Sequence, residues 1–229
     1  MAVIEGGTSL ALVGVGAEAA SPLHITSKPT PSGALGHYRI AATTGTIAAA
    51  LAASAQLFYL RWTDATRFCV ITSFKASFQT LTPFTAATLA DFGFDLFKAT
   101  AVSAGGGGTD LGAIAKTRMR TTGMGASLLD AAGLMRIAST GALTALTTLD
   151  GAAIAQSVGD ANLTNPAAGT EEPRVNDPTL VFKPDVASGE HPLVLGQNEG
   201  IVLRNRTVWP AAGTGIVQIG LAWAEVSAY

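Results

Sequence analysis

The sequence predicts an all-β protein, an antiparallel β-sandwich that is jelly-roll-like, with an extended N-terminal arm and long loops. Short segments of alternating apolar and polar residues, about nine or ten of them, follow one another with glycine-rich turns between them and no alternating helices. The final segment is the clearest. One face carries the apolar residues Val217, Ile219, Leu221 and Trp223, and the other carries Gln218, Gly220, Ala222 and Ala224.

Composition favours a surface that neighbouring molecules cover. The chain has 229 residues, of which 48% are hydrophobic, enough for a sizeable core. Charged residues make up 13%, about half the usual share. The formal net charge of −2 gives no general electrostatic case for binding nucleic acid or an acidic membrane. The sequence therefore predicts a surface with few charges, which suits subunit contacts.

The single cysteine and the first residues of the chain indicate the cellular compartment in which the protein folds. Cys69 has no second cysteine to pair with, and it is expected to be a small buried hydrophobe. Residues 1–5 contain an acid and no basic residue, which is unlike a secretory signal. The most apolar run, 45–60, is too short to span a bilayer. We expect the protein to fold and assemble in a reducing cytoplasm.

Two parts of the chain are distinguished. Residues 1–30, interrupted by glycine and proline, are expected to form an arm that lies over the same subunit or a neighbour, or else an ordinary edge strand with loops. Residues 31–229 are expected to form a single β-sandwich domain. No linker and no internal repeat of fixed period divides them.

The first half of the sandwich is expected to run as follows. Residues 47–55 predict a short helix or a turn that leads into a strand at 57–62. A long central strand follows, with Phe68, Val70, Phe74 and Phe78 expected on one face. The next strand has an apolar face made by Phe92, Phe94 and Leu96. Four consecutive glycines at 105–108 predict a flexible hairpin tip.

A basic strand face is the one local charge feature of the sequence. The segment 114–122 places Lys116, Arg118 and Arg120 on one side, where we expect them to be solvated or to meet an acidic partner. Short strands are expected at 134–139 and 143–149. A long loop at 151–184, around a short strand at 180–182, suggests an intersubunit contact. The candidate interface residues are Lys116, Arg118, Arg120, Glu171, Glu172 and Arg174.

The end of the chain is expected to close a sheet. Residues 192–228 predict three consecutive strands, with a tight turn at 196–200 in which glycine and asparagine accept positive φ. The apolar face of the last strand needs partners from much earlier in the chain. We therefore expect both ends of the protein to meet in one sheet.

No pattern of catalytic or metal-binding residues is found. His24, His37 and His191 lack metal-ligand spacing, and Glu190-His191 near Asp185 is expected to form a turn rather than a metal site or a base. The segment 123–128 lacks the third glycine of a dinucleotide or nucleophile motif. The glycines at 105–108 are not followed by the Lys-Ser/Thr of a phosphate loop. We expect no enzyme, cofactor, metal or small-molecule substrate.

Several segments resemble uncharacterised structural proteins of tailed bacteriophages. They are 33–39 (GALGHYR), 61–67 (RWTDATR), 188–192 (SGEHP), 198–205 (NEGIVLRN) and 223–226 (WAEV). The resemblance implies a particle component assembled in the bacterial cytoplasm, specifically a head decoration (cement) protein that binds the major capsid protein. It also implies contacts with copies of itself, for which a homotrimer is expected at a three-fold position. The segments match no signature of a known decoration protein.

Three alternatives stay open at this point. A tail-associated receptor-binding β-sandwich would present tryptophan and tyrosine near Asp or Asn on a loop face. A major shell or tail-tube subunit is disfavoured because the sequence lacks the long helix of the common shell fold. An enzyme would need polar groups that converge in a pocket.

Overall fold

The computed structural model describes residues 35–48, 50–82, 92–102, 105–119, 124–144, 147–159, 178–185, 188–209 and 212–227. Within these residues the regular structure is β, apart from one 3₁₀ turn at Leu128–Asp130. The strands form two antiparallel sheets that pack together around a shared hydrophobic core. The predicted all-β antiparallel sandwich is confirmed, and its jelly-roll connectivity stays a prediction. The N-terminal arm at 1–30 lies outside the described residues.

The first sheet is built on the longest strands. Its described strands follow the order β10-β3-β13-β1-β6, and β11 also pairs with β3. They are β1 (Gly36–Thr43), β3 (Phe68–Thr82), β6 (Thr117–Arg118), β10 (Thr179–Phe182), β11 (Leu193–Leu195) and β13 (Thr214–Val226).

The second sheet is built from more and shorter strands. Its described strands follow the order β5-β7-β2-β12-β4-β8, and β9 also pairs with β4. They are β2 (Gln56–Arg61), β4 (Phe92–Val102), β5 (Thr109–Asp110), β7 (Met135–Ile137), β8 (Thr147–Leu149), β9 (Ala155–Gly159) and β12 (Gly200–Asn205).

The last strand lies at the centre of the first sheet, between two strands from the first third of the chain. On one side β13 pairs with β1, from Gly36↔Glu225 to Thr43↔Gln218. On the other side it pairs with β3 along nearly its whole length. The inward face is the predicted one, since Val217, Ile219, Leu221 and Trp223 are all buried. Both ends of the sandwich therefore meet in one sheet, as the apolar alternation of this strand requires.

The three C-terminal strands do not share a sheet, which corrects the sequence prediction. β11 and β13 lie in the first sheet, whereas β12 lies in the second, between β2 and β4. The turn at 196–200 exists, with Asn198 at φ 63° and a hydrogen bond from Glu199 N to Gly196 O of 3.1 Å. This turn connects β11 in the first sheet to β12 in the second sheet, and the two strands do not pair with each other. Local alternation could not reveal this, because it identifies strands but not their partners.

A β-bulge changes the face of the long strand β3. The register with β13 shifts between Ala222 and Trp223, which pair with Ser73 and Ile71 and leave Thr72 as the extra residue. Cys69 and Ile71 therefore point inward with Phe74 and Phe78, and Phe68 points outward at 37% exposure. The sequence predicted one common face for Phe68, Val70, Phe74 and Phe78. This prediction is wrong for Phe68 and Val70, which precede the bulge, and right for Phe74 and Phe78, which follow it.

Loops that the sequence left irregular are more ordered than expected. The run 47–55 forms no helix, and its turn alternative holds, with Ala55 N bonded to Ala52 O before β2 begins. The glycines at 105–108 are not a simple hairpin tip. Gly106 forms a bridge with Thr144, and a Cβ at Gly105 would lie 2.7 Å from the Tyr59 ring. The glycine run thus lies against the second sheet, where side chains would not fit.

Two further expectations are corrected in the middle of the chain. The segment 114–122 is paired only at β6 among its described residues, because the chain before β6 folds around the Lys116 ammonium group. The predicted loop at 151–184 begins with β9, which pairs with β4 from Phe92↔Gly159 to Leu96↔Ala155. Residues 160–177 of that loop lie outside the described residues.

Two strand glycines provide a matched test of the packing. Gly200 lies on β12 between two strands, where an added Cβ would overlap the Leu60 carbonyl oxygen and lie 2.8 Å from Val102 Cγ2. Gly220 lies on β13, and an added Cβ would meet nothing within 4 Å. We expect Gly200→Ala to lower the free energy of unfolding by about 2–3 kcal/mol and Gly220→Ala to change it by less than about 0.5 kcal/mol. Urea unfolding of both variants checks this, and equal midpoints would contradict it.

Candidate functional site

The Glu225 carboxylate is a deeply buried charged group of the described chain. Glu225 continues the inward alternation of β13 and is 2% exposed. Its Oε1 accepts hydrogen bonds from Ser127 Oγ at 2.6 Å, from the Leu128 backbone N–H at 3.0 Å and from Trp223 Nε1 at 3.3 Å. Burial raises the pKa of this carboxyl above its ordinary value, and the three hydrogen bonds oppose the rise. The carboxylate thereby fixes the 3₁₀ turn to the first sheet.

The hydrogen-bond network continues from this turn to a buried lysine. Asp130, the last residue of the turn, accepts hydrogen bonds from the backbone N–H groups of Ser127 and Lys116. The Lys116 ammonium lies 3.4 Å from Asp130 Oδ1 and donates to the carbonyl oxygens of Leu111 at 2.6 Å and of Ile114. Burial lowers the pKa of Lys116, and the Asp130 carboxylate opposes this effect. The ammonium group holds its own loop together.

The candidate interface predicted from the sequence is therefore wrong at Lys116. Lys116 does not lie on a solvated strand face, because its side chain is buried and its donors are used by carbonyl oxygens of the chain. Arg118 is exposed on the edge strand β6, opposite Tyr38. Arg120, Glu171, Glu172 and Arg174 lie outside the described residues. The two described residues of the six therefore do not share one surface, because Lys116 is buried and Arg118 is exposed.

The groups considered for chemistry do not form a reactive site within the described ranges. Cys69 is fully buried and burial raises its thiol pKa, which fits the predicted hydrophobic role. His37 is half-buried, and His191 Nδ1 lies 2.6 Å from the Pro192 carbonyl oxygen next to it. No group of three His, Cys, Asp or Glu residues among the described ones could hold a metal ion. Ser127 and Glu225 are in contact, and both are buried, at 5% and 2% exposure.

The outer face of the first sheet carries a depression where β1, β13 and β3 lie side by side. Cross-strand register places Arg39, Ala222 and Ser73 in one row and Ala41, Gly220 and Lys75 in the next. Together with Thr117 they line an open depression of about 360 Å³. The floor is made of residues with little or no side chain. Antiparallel sheets commonly pack one face on the core, and at the centre of the other face of this sheet the described side chains are small.

The charges on this face are of one sign. In the strands of the first sheet, the described residues that point outward include Arg39 and Lys75 and no aspartate or glutamate. Neither cation lies within ion-pair distance of a described carboxylate. His37 points to the same side, and burial lowers its pKa, which favours the neutral imidazole.

The second sheet differs, because its cations have partners within the chain. Lys98 lies 2.8 Å from Glu199, Arg206 lies 3.9 Å from Asp95, and Arg136 lies 3.5 Å from Asp110. The Arg204 guanidinium lies over the Phe97 ring, 4.0 Å from its centroid. These four cations thus have partners within the chain, whereas Arg39 and Lys75 have no ion-pair partner among the described residues.

Comparisons with known proteins give no match, whether with protein-family models, with curated proteins or with solved structures. In the ranges that the structure describes, no helix has the length and hydrophobicity that a membrane span requires.

The buried carboxyl predicts a pH dependence of stability. The pKa of Glu225 is raised from its ordinary value of 4.5, so folding takes up a proton between the two values. The free energy of unfolding contributed by this group therefore falls as pH rises from 4.5 through the folded pKa. We expect Glu225→Gln to lack this fall, as measured by urea unfolding from acidic to neutral pH. His37 is present in both the wild type and the Glu225→Gln variant, so its contribution to the pH dependence cancels in the comparison. Parallel profiles of unfolding free energy against pH for the two proteins would contradict the prediction.

Proposed function

We propose that this protein is a non-enzymatic structural component of a tailed-bacteriophage particle, a decoration (cement) protein of the head shell. In this role it binds the major capsid protein and copies of itself. The proposal is supported by the resemblance of five segments to structural proteins of tailed phages. It is supported further by the low charged fraction of 13%.

The observation that carries the proposal is the small-residue centre of the outer face of the first sheet. A stable subunit contact needs a rigid, well-shaped surface with few charges to desolvate. The central strands β3, β13 and β1 form one long antiparallel ladder, so this face is rigid. Its centre is made of Ala41, Gly220, Ala222 and Ser73, which allow close approach of another chain. These properties suit a contact with another subunit.

A glycan-binding tail module has less support from the structure. Sugar sites commonly use an exposed aromatic ring as a stacking platform. Trp62, Trp209 and Trp223 are all buried, at most 1% exposed, so none of them offers such a platform.

Copy number in purified particles tests the proposal. A decoration protein is expected on the order of hundreds of copies per particle, because it follows the symmetry of the shell. Quantitative mass spectrometry, with the major capsid protein as internal standard, measures this ratio. A handful of copies would contradict a decoration role and favour a tail position. A glycan array then checks the receptor-binding alternative.

A further inference from the structure

The segment 124–134 crosses from the first sheet to the second. In the chain it lies between β6 of the first sheet and β7 of the second, and it contains the 3₁₀ turn. Met124, Ser127 and Leu129 of this segment are buried. Four of their neighbours are exposed, namely Gly125, Ala126, Ala131 and Ala132. This crossover segment is therefore a surface layer over interior residues of the sandwich.

Two side chains of the first sheet make its hydrogen bonds to the crossover segment. The Tyr38 hydroxyl on β1 lies 3.2 Å from the Gly125 carbonyl oxygen. Glu225 on β13 accepts hydrogen bonds from Ser127 Oγ and the Leu128 backbone N–H. Among the described residues, no backbone–backbone hydrogen bond joins the segment to a strand of the first sheet. On this side its polar attachment therefore consists of one hydroxyl and one carboxyl group.

The Glu225 carboxyl has no ion-pair partner among the described residues. The other charged and titratable groups around it and the Tyr38 hydroxyl are Arg67 from the loop before β3, Cys69 from β3, Arg118 from β6 and Asp130 from the 3₁₀ turn. Burial raises the pKa of the Cys69 thiol and of the Tyr38 hydroxyl, so both stay neutral at acidic and neutral pH. The arginines stay charged. The groups of this cluster that can change charge in that range are therefore the two carboxyls.

We propose that Glu225 makes the attachment of the crossover segment pH-dependent, so that the segment opens locally more often as pH rises. The neutral carboxyl group holds the 3₁₀ turn against the first sheet. The ionised group is a buried charge without an ion-pair partner, which favours an open state in which water reaches it. Leu129 is fully buried and opposes opening, so the open state is a minor one. This behaviour does not depend on a role in a phage particle.

The direction of the pH dependence follows from burial of the carboxyl group. In the closed state burial raises the pKa of Glu225 above its ordinary value of 4.5, and in the open state water restores that value. Between the two values opening releases a proton, so the ratio of open to closed molecules rises about tenfold per pH unit. Below 4.5 and above the raised pKa this ratio is constant.

Amide hydrogen exchange of the full chain, from acidic to neutral pH, tests this inference. The reporters are the Leu128 and Leu129 amides, which donate to Glu225 and to Ser127 Oγ. After division by the intrinsic exchange rate at each pH, we expect their exchange to rise about tenfold per pH unit from 4.5 to the raised pKa. Glu225→Gln should show no such rise. Asp130 and His37 are present in both proteins, so their titrations cancel in the comparison.

Tyr38→Phe and Asp130→Asn are the matched controls. Tyr38→Phe removes the hydroxyl attachment and keeps the carboxyl, so it should raise the exchange of the reporter amides about fivefold at every pH without changing the slope. Asp130→Asn keeps Glu225 and should keep the rise. It also serves as the test if Glu225→Gln does not fold, because loss of the rise in Asp130→Asn would assign the titration to Asp130 instead.

The amides of Phe74 and Leu221 are the internal reference, because these residues pair at the centre of the β3–β13 ladder. They should exchange more slowly than Leu128 and Leu129 at every pH, since local opening leaves the two sheets intact. Equal protection of the two sets would mean that the segment opens only when the whole sandwich unfolds. That result overturns the inference, as does a flat wild-type profile or an equal rise in Glu225→Gln.

Discussion

Phe78→Ala is expected to lower the free energy of unfolding by about 3–5 kcal/mol, the usual cost of removing a large aromatic side chain from a core. Phe78 lies on β3 of the first sheet and is 3% exposed. Its ring centroid is 4.7 Å from that of Phe92 on the second sheet and 5.2 Å from that of Trp209, both in edge-to-face geometry. This side chain therefore joins the two sheets, and its loss opens a cavity between them. Urea unfolding followed by tryptophan fluorescence measures the change.

Phe68→Ala is the matched control, with the same residue type on the same strand. Phe68 lies before the bulge and is 37% exposed on the outer face, so we expect a loss below about 1 kcal/mol. Comparable losses for the two variants would mean that the bulge at Thr72 is not present. The original prediction of one common face for both rings would then be right.

Glu225→Ala is expected to lower the free energy of unfolding by about 2–4 kcal/mol at neutral pH. The substitution removes the acceptor for Ser127 Oγ, for the Leu128 backbone N–H and for Trp223 Nε1, all in the interior. Buried donors without an acceptor cost about 1–3 kcal/mol each, partly offset because an expensive buried charge is also removed. Thermal and urea unfolding measure the effect.

The matched variant Glu225→Gln keeps an acceptor oxygen of nearly the same shape. We expect it to lose about 1 kcal/mol or less, since the amide N–H₂ group has to find a new partner. If the alanine and glutamine variants are equally stable, the hydrogen bonds of Glu225 do not hold the 3₁₀ turn to the first sheet.

Strand positions and the inward face of the last strand could be predicted from the sequence, because alternation reports burial directly. Val217, Ile219, Leu221 and Trp223 lie in the core as predicted, and the pairing of β13 with early strands follows from the need to cover that face. The sheet to which β12 belongs could not be predicted. Strand pairing is a long-range property, and a five-residue turn joins strands within one sheet as readily as between two.

The bulge and the buried lysine show where alternation misleads. One extra residue at Thr72 inverts the face of everything before it, and no local signal in a run of β-formers marks it. Lys116 looked solvated because charged residues are almost never fully buried unless paired. Here the partners are Asp130 and the carbonyl groups of a loop whose path the sequence does not reveal.

One of the candidate sites could have been predicted from the sequence, and the other could not. Glu225 could have been found, since it falls in the inward phase two residues after Trp223, and a glutamate on a core face indicates a buried network. The shared sheet face of Arg39 and Lys75 could not. The two residues are far apart in the chain, and only the pairing of β1 and β3 with β13 places them on the same face, on opposite sides of β13.

Amine labelling of lysines in purified particles that contain this protein tests most directly whether the outer face of the first sheet is the covered surface. In the isolated protein Lys75 should react faster than Lys98, because Lys75 is exposed and Lys98 is held by Glu199 at 2.8 Å, with 24% of its side chain exposed. In the particle we expect the order to reverse, with Lys75 protected by its neighbour and Lys98 unchanged. Unaltered labelling of Lys75 in the particle would show that the outer face of the first sheet is not the covered surface.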